Sequence, residues 1–194
     1  LAAQLASELC PGAVPYDMGF HHGKLICKCP LFTSESMGLA KASSLFHGED
    51  RTIPELLSFF EGIGSGDAFR RMCVLDAVIL NPDRHYGNFG VLFDTETMEL
   101  LEMAPVFDHN RSLFPELDID QLAMPERYLK YCRPRLGRDF LVTARGLLTD
   151  GIRRDLKRLE GFVFQQHPDI RVEQERLDAL SSIVRGQIKR ILES

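Results

Sequence analysis

The chain has no apolar run of the roughly 18 to 20 residues that a membrane-spanning helix needs, and no charged-then-apolar leader at its start. Positive charge is not in excess: 23 Lys and Arg stand against 28 Asp and Glu, giving a net charge of -5 and a pI near 5.7. Nucleic-acid or anionic-membrane binding through a global basic field is therefore not expected, because counterion release needs clustered cations. Cysteine is sparse and irregular. The five residues Cys10, Cys27, Cys29, Cys73 and Cys132 form an odd set, which argues for free thiols in a reducing, cytoplasmic setting and against a secreted disulfide framework. Cys27-x-Cys29 lacks a second pair at zinc spacing and reads as strand packing. Internal repeats and low-complexity tracts are also missing.

What is present is an ordinary globular composition, 44% hydrophobic and 26% charged over 194 residues, enough for one domain or two small lobes. Leu1, Leu5 and Leu9 mark one face of a helix that stops at Pro11-Gly12. Leu1 falls inside this helical pattern, which reads as a piece of a longer protein with further elements upstream. "VPYDMGF" and "KLICKCP" flank the turn-forming "HHG" and predict a hairpin, with His21 and His22 solvated. A helix is expected from Ser34 to about Phe46, followed by the polar stretch "HGEDRT". Thr52 caps the next helix, with Pro54 and Glu55 in its first turn. "GIGSG" then lies between two helical patterns and reads as a linker, not as a phosphate loop. From Ser65 to Leu80 the residues are apolar nearly all round, which predicts a buried helix. "GVLFD" and "MELLEM" around "TET" predict a second hairpin. The segment from Asn110 to about Gly137 has no clean period. The last helix carries the stripe Ile170, Leu177, Leu180, Val184, Ile188 and Ile191.

The densest polar cluster is "ILNPDRHYGNFGVLFDT", residues 79–95. Asp83 follows the buried helix directly, and Pro82 discourages further helix there. Asn88 comes five residues later, at the start of the hairpin, and Gly87 and Gly90 are expected to turn the backbone into it. Asp108, in "PVFDHN", comes just after the second strand. If the hairpin forms, its two ends are adjacent and Asp83, Asn88 and Asp108 share one site. An amide oxygen and a carboxylate are hard ligands suited to Mg²⁺. A further carboxylate outside the metal shell suits an attacking hydroxyl, and these are the parts that phosphoryl transfer requires. Arg84 has two readings, a phosphate contact or a partner for Asp76 inside the buried helix, and the second is favoured because a buried carboxylate needs one.

Asp83 and Asn88 keep the D-x-x-x-x-N spacing of protein-kinase catalytic loops, with the companion triplet reading D-R-H in place of H-R-D. "NPDRHYGNFGVLF" followed by "APVFDHNRSL" resembles the HipA-like kinases and, more distantly, the phosphatidylinositol 3- and 4-kinase group. The resemblance extends weakly to "VPYDMGF" and "KLICKCPLFT", which are similar to the end of a kinase small lobe and its adenine-holding hinge. It implies an α+β, protein-kinase-like fold of the HipA type. A small β-containing, incomplete small lobe with hinge (1–33) would precede a mostly helical large lobe (34–194), with the catalytic loop at 81–90 and a metal-binding hairpin end at 104–113. It further implies ATP- and Mg²⁺-dependent transfer to a protein Ser or Thr, self-phosphorylation included, and a cytoplasmic enzyme with a protein substrate and a regulatory partner protein. Asp83 would be the catalytic residue; His85, Asn88 and Asp108 would bind the cofactor, with Asn88 and Asp108 on the metal.

The phosphate-binding loop and the ATP-contacting lysine are not visible in the chain. Lys24 and Lys28 are the early candidates, and elements upstream of Leu1 are the preferred explanation. The alternatives are a non-catalytic nucleotide-binding module, or a hydrolase gathering Asp83, His85, Asp108 and His109 around a transition metal. His47 and His167 offer no evident partner. Tyr128, Tyr131 and "RPRLGR" fall where a kinase activation segment would lie, and read either as a solvated loop or as a substrate surface.

Overall fold

The computed structural model describes residues 1–47 and 50–193, so positions 48 and 49 of the polar stretch before Thr52 lie outside the described residues. Helix α1 (Ala2–Leu9) buries Leu5, Ala6 and Leu9 and gives out at Cys10, where the following Pro11 cannot continue it. Strands β1 (Asp17–His21) and β2 (Lys24–Lys28) pair antiparallel as expected. Their two-residue turn is made by His22 at φ 48° and Gly23 at φ 73°, the positive values that match a hairpin's twist. This hairpin lies open on the surface, with Phe20 65% and Leu25 50% exposed. Cys27 and Cys29 are exposed with it, so they do not provide the strand packing anticipated for them.

The helix expected from Ser34 to Phe46 does not form as such. Its place is taken by strand β3 (Met37–Lys41) and the short helix α2 (Ala42–Leu45). Local propensity loses because β3 completes the edge of a sheet whose other strands are β4 (Gly90–Asp94) and β5 (Leu100–Met103). In that sheet Met37 faces Asp94 and Lys41 faces Gly90. Two glycines permit the close pairing. A Cβ on Gly38 would sit 2.5 Å from the Phe93 ring, and one on Gly90 would sit 2.2 Å from the Ala40 carbonyl oxygen. Gly90 thus serves strand approach, not the turn expected of it. The β4–β5 turn is closed by Asp94, whose Oδ1 accepts from the Glu96 and Thr97 amides at 2.9 and 2.8 Å.

The helices begin where side-chain acceptors are available. Thr52 and Glu55 form a capping box on α3 (Ile53–Gly62), with Pro54 in its first turn, and Asp118 with Gln121 does the same for α5 (Ile119–Leu122). Asp139 caps α7 (Phe140–Leu147) and Thr149 caps α8 (Asp150–Arg158). Helix α4 (Gly66–Val78) is the centre of the molecule: Phe69, Met72 and every residue from Cys73 to Val78 are buried. It packs against α1, α3, α7 and the long terminal helix α9 (Gln174–Leu192), whose buried stripe includes Leu177, Leu180, Val184, Ile188 and Ile191. Phe69 stacks on Phe60 of α3 at 5.0 Å. The unpatterned region contains only the one-turn helices α5 and α6 (Glu126–Leu129). His167, for which no partner was expected, meets Asp17 of β1 at 2.9 Å. No helix among the described residues is long and apolar enough to cross a membrane.

The capping box is the easiest of these features to test. Thr52→Ala should lower unfolding free energy by about 1 kcal/mol, whereas Thr52→Ser should lie close to wild type. Urea titration of the two variants checks this, and an alanine variant as stable as wild type would show that the cap carries no stability.

Candidate active site

Helix α4 ends at Val78, Leu80 takes the left-handed conformation at φ 51°, and the chain enters the loop that carries Asp83. A left-handed leucine is uncommon, because its Cβ crowds the backbone there, and persists only where surrounding contacts impose it. Here the Leu113 amide donates to the Ile79 carbonyl at 3.0 Å, so the loop is tied to the segment after Asp108. Asn81, which is 1% exposed, shapes the next turn. Its Oδ1 accepts from the Asp83 amide at 3.1 Å while its Nδ2 donates to Asp76 Oδ1 at 2.9 Å.

Arg84 is the hub. Its Nε and Nη2 donate to the two oxygens of Asp76 at 2.8 and 3.0 Å. Its Nη1 donates to the carbonyls of Asn88 at 2.7 Å and of Phe107 at 2.6 Å. Nη2 also meets His109 Nδ1 at 3.3 Å. These contacts match the five N–H donors of a guanidinium, on a side chain that is 1% exposed. Burial works against the charge on Arg84, and the Asp76 carboxylate outweighs it. The favoured reading of Arg84, as the partner of Asp76, is the geometry observed.

The same contacts bring the separated residues together. Asn88 and Phe107, the residue before Asp108, are held by one nitrogen. Asn88 Nδ2 donates to the Asp83 carbonyl at 3.1 Å, which leaves the amide oxygen on the opposite side of the group. Asp108 has φ 57°, and its amide donates to the Tyr16 hydroxyl at 3.1 Å, while Val14 donates to the Val106 carbonyl at 3.1 Å. The N-terminal part thus helps to set the end of the hairpin. Asp108 opens onto a cleft of about 680 Å³ between α1, β1 and the segment 108–115. His85 is turned into its own loop, with Nδ1 accepting from the Gly87 amide at 3.0 Å.

His109 is drawn into the Arg84 network. As an acceptor at Nδ1 it is neutral, and burial, then the positive Arg84, lowers its pKa to about 4. With its ring 6.0 Å from that of Tyr16, it does not join Asp83, His85 and Asp108 in a cage. No group of three or more His, Cys, Asp or Glu suited to a metal is found among the described residues. Lys28 pairs with Asp17 at 3.0 Å on the open hairpin.

Asp83 has a further partner: Arg135 Nη1 lies 2.9 Å from its Oδ1. Tyr16, Asn81 and Arg135 were not singled out by spacing as members of this site, and His109 was named only as a transition-metal ligand beside Asp83, His85 and Asp108. Only Asn81 carries a sequence signal, since Asn two residues before a loop residue readily accepts its amide.

No family model matches the chain, and no curated protein matches its sequence. Among solved structures it is similar to the crystal structure of the Helicobacter pylori proinflammatory kinase CtkA, with a TM-score of 0.71 at 17% identity over 99% of this chain and 82% of that one. The fold is thus α+β and kinase-like, a small β portion joined to a mostly helical part.

Arg84→Lys should destabilise the fold by about 3 to 5 kcal/mol, because one ammonium cannot replace the fork and leaves Asp76 underpaired. Denaturant midpoints check this, and a lysine variant as stable as wild type would remove Arg84 as the hub. His109 supplies a pH signature. Its folded pKa of about 4 lies below the unfolded value of about 6.5, so the unfolded chain binds the extra proton first. Stability is complete above about pH 6.5 and falls as pH drops toward about 4, by up to about 3 kcal/mol. In chelator-containing buffer, His109→Gln should flatten that slope; an unchanged slope would assign it to other groups.

Proposed function

We propose that the protein is an ATP- and Mg²⁺-dependent phosphotransferase, a HipA-like serine/threonine kinase acting on protein. The observation that carries this reading is the Arg84 hub, which holds the Asn88 loop and the strand end before Asp108 through one guanidinium nitrogen within a kinase-like fold. The donor set fits Mg²⁺: the Asn88 amide oxygen, opposite the nitrogen that bonds Asp83, and the Asp108 carboxylate are both hard ligands, few in number.

In this reading Asn88 and Asp108 hold the cation, which when bound neutralises charge on the phosphate oxygens. Asp83 sits outside that pair and takes the hydrogen of the acceptor hydroxyl while aligning it. The loop keeps these groups in register without the acceptor's help, so most of the rate enhancement comes from positioning. His85 builds the loop beneath the phosphates through its bond to Gly87. The hinge stretch before β3 holds the adenine, and Phe32 there lies 5.6 Å from Phe107, ring to ring.

One observation favours a non-catalytic nucleotide-binding module as the second reading: an Asp83 oxygen is already engaged by Arg135. A single experiment separates the two. The intact protein is incubated with Mg²⁺ and γ-labelled ATP, and both nucleotide binding and label transfer to protein are measured. The kinase reading expects transfer by wild type. Asp83→Asn should cut transfer by about 10²- to 10⁴-fold with ATP still bound, and Asp108→Asn should weaken the Mg²⁺-dependent part of ATP binding. Wild type that binds ATP without transfer would select the non-catalytic module. Equal binding and turnover by all three proteins would overturn the site assignment.

A further inference from the structure

A second groove, of about 330 Å³, is lined by Leu80, Pro82, Phe114, Tyr128, Arg111 and Arg133, among others, and shares with the Asp108 cleft the segment 110–117, whose residues divide between the two. One of its lining residues is Pro82, the chain neighbour of Asp83. Its outer wall is the segment from α6 onward, pinned to the loop where Cys132 Sγ meets the Leu80 carbonyl at 3.8 Å. That wall is cationic out of proportion to the chain. Between 127 and 138 there are five basic residues, Arg127, Lys130, Arg133, Arg135 and Arg138, and no acidic one, in a protein of net charge -5.

These cations are mostly available. All five are exposed, as is Arg111 across the groove. Arg133 turns one nitrogen to the neighbouring Cys132 carbonyl at 3.2 Å, and Lys130 lies over the Tyr131 ring at 4.8 Å. Among the described residues, Arg135 is the member of the run that has a carboxylate, and that carboxylate is Asp83. Glu116 is the acid lining the groove.

We propose that the acceptor is an acidic peptide: a segment with Asp or Glu flanking the phosphorylated hydroxyl, lying in this groove with its carboxylates on Arg111, Arg133 and Arg135. The inference rests on the kinase reading above and names its substrate class. Charge complementarity selects the acidic partner. The groove's apolar floor of Leu80, Pro82 and Phe114 suits an extended chain more than a flat membrane. The ion pair at Asp83 gives the selection a chemical consequence. A carboxylate arriving beside the hydroxyl draws Arg135 to itself and leaves Asp83 Oδ1 to accept the hydroxyl hydrogen. A basic or neutral peptide leaves Arg135 where it is.

The test uses the intact protein and three Ser-containing peptides alike except for acidic, neutral or basic flanks, together with vesicles containing phosphatidylinositol. Binding is followed by fluorescence anisotropy of labelled peptide without nucleotide, and transfer by label from ATP. The acidic peptide should bind at least tenfold tighter than the neutral one and show at least tenfold higher kcat/KM. That preference should shrink as salt is raised from 0.1 to 1 M, where the Debye length falls from about 10 to about 3 Å. Arg111→Glu with Arg133→Glu, both surface changes, should abolish the preference for acidic flanks while ATP affinity stays within about twofold. Transfer with no acidic preference, or with a preference unaffected by the double variant, would overturn the acceptor class and leave the kinase reading standing. Label entering only the phosphoinositide would overturn it in favour of a lipid acceptor. Absence of ATP binding would remove the kinase reading, and the acidic acceptor with it.

Discussion

The organisation of this molecule depends on one buried ion pair, the fork between Arg84 and Asp76. Two charges taken out of water cost several kcal/mol each unless every donor and acceptor is matched, and here the match is complete on the guanidinium. Asp76 projects from the central helix, Arg84 from the loop that follows it, and the accepting carbonyls from the two ends of the β4–β5 hairpin. Moving any one of these four pieces strands a charge in the core. The loop from 81 to 89 has no regular secondary structure, and side-chain bonds from Asn81, Arg84 and Asn88 hold its backbone instead. His109 is neutral first because it is buried and then because a second positive charge beside Arg84 would be repelled.

Backbone strain is concentrated where these pieces meet. Leu80, Asp108, Leu113 and Phe114 all hold positive φ, and none has the steric freedom of glycine. Each such residue costs on the order of 1 to 3 kcal/mol, so the hub and its hydrogen bonds oppose a standing tendency of the chain to relax. Asp108 shows what the strain achieves. Its amide is taken by Tyr16 and the preceding carbonyl by Arg84, and between these two fixed points the side chain is presented to the cleft.

Much of this was legible because the decisive patterns are local. The apolar run of α4, the Thr52 cap, the hairpin around "TET" and the stripe on α9 each follow from a period or a turn within a few residues. The convergence of Asp83, Asn88 and Asp108 was legible for a further reason, that a hairpin converts sequence distance into adjacency by known geometry. Strand β3 was not, because "MGLAKASSL" has helical propensity by itself, and only the facing edge of β4 and the room left by Gly38 and Gly90 make it a strand. Tyr16 and Arg135 were hidden for the same cause: they reach the site across 92 and 52 residues of chain, with no periodic signal to announce either.

The two arginine–aspartate pairs at this site belong to different electrostatic regimes, and that difference divides the labour between them. The side chains of Arg84 and Asp76 are 1% and 7% exposed, so their attraction is hardly screened and neither group can exchange partners without unfolding its surroundings. Those of Arg135 and Asp83 are 62% and 34% exposed, in the range where a pair contributes at most about 1 kcal/mol and salt weakens it further. The first pair is therefore a frame and the second a contact that a competing carboxylate can displace. The proposed phosphotransferase would need both properties at once: groups that hold a cation and a phosphate in register cannot drift, whereas a carboxylate that meets the acceptor must be released each time one arrives. Placing the permanent charge pair beneath the loop and the exchangeable one on its rim meets both requirements with two residues, Asp83 and Arg84, that are adjacent in sequence.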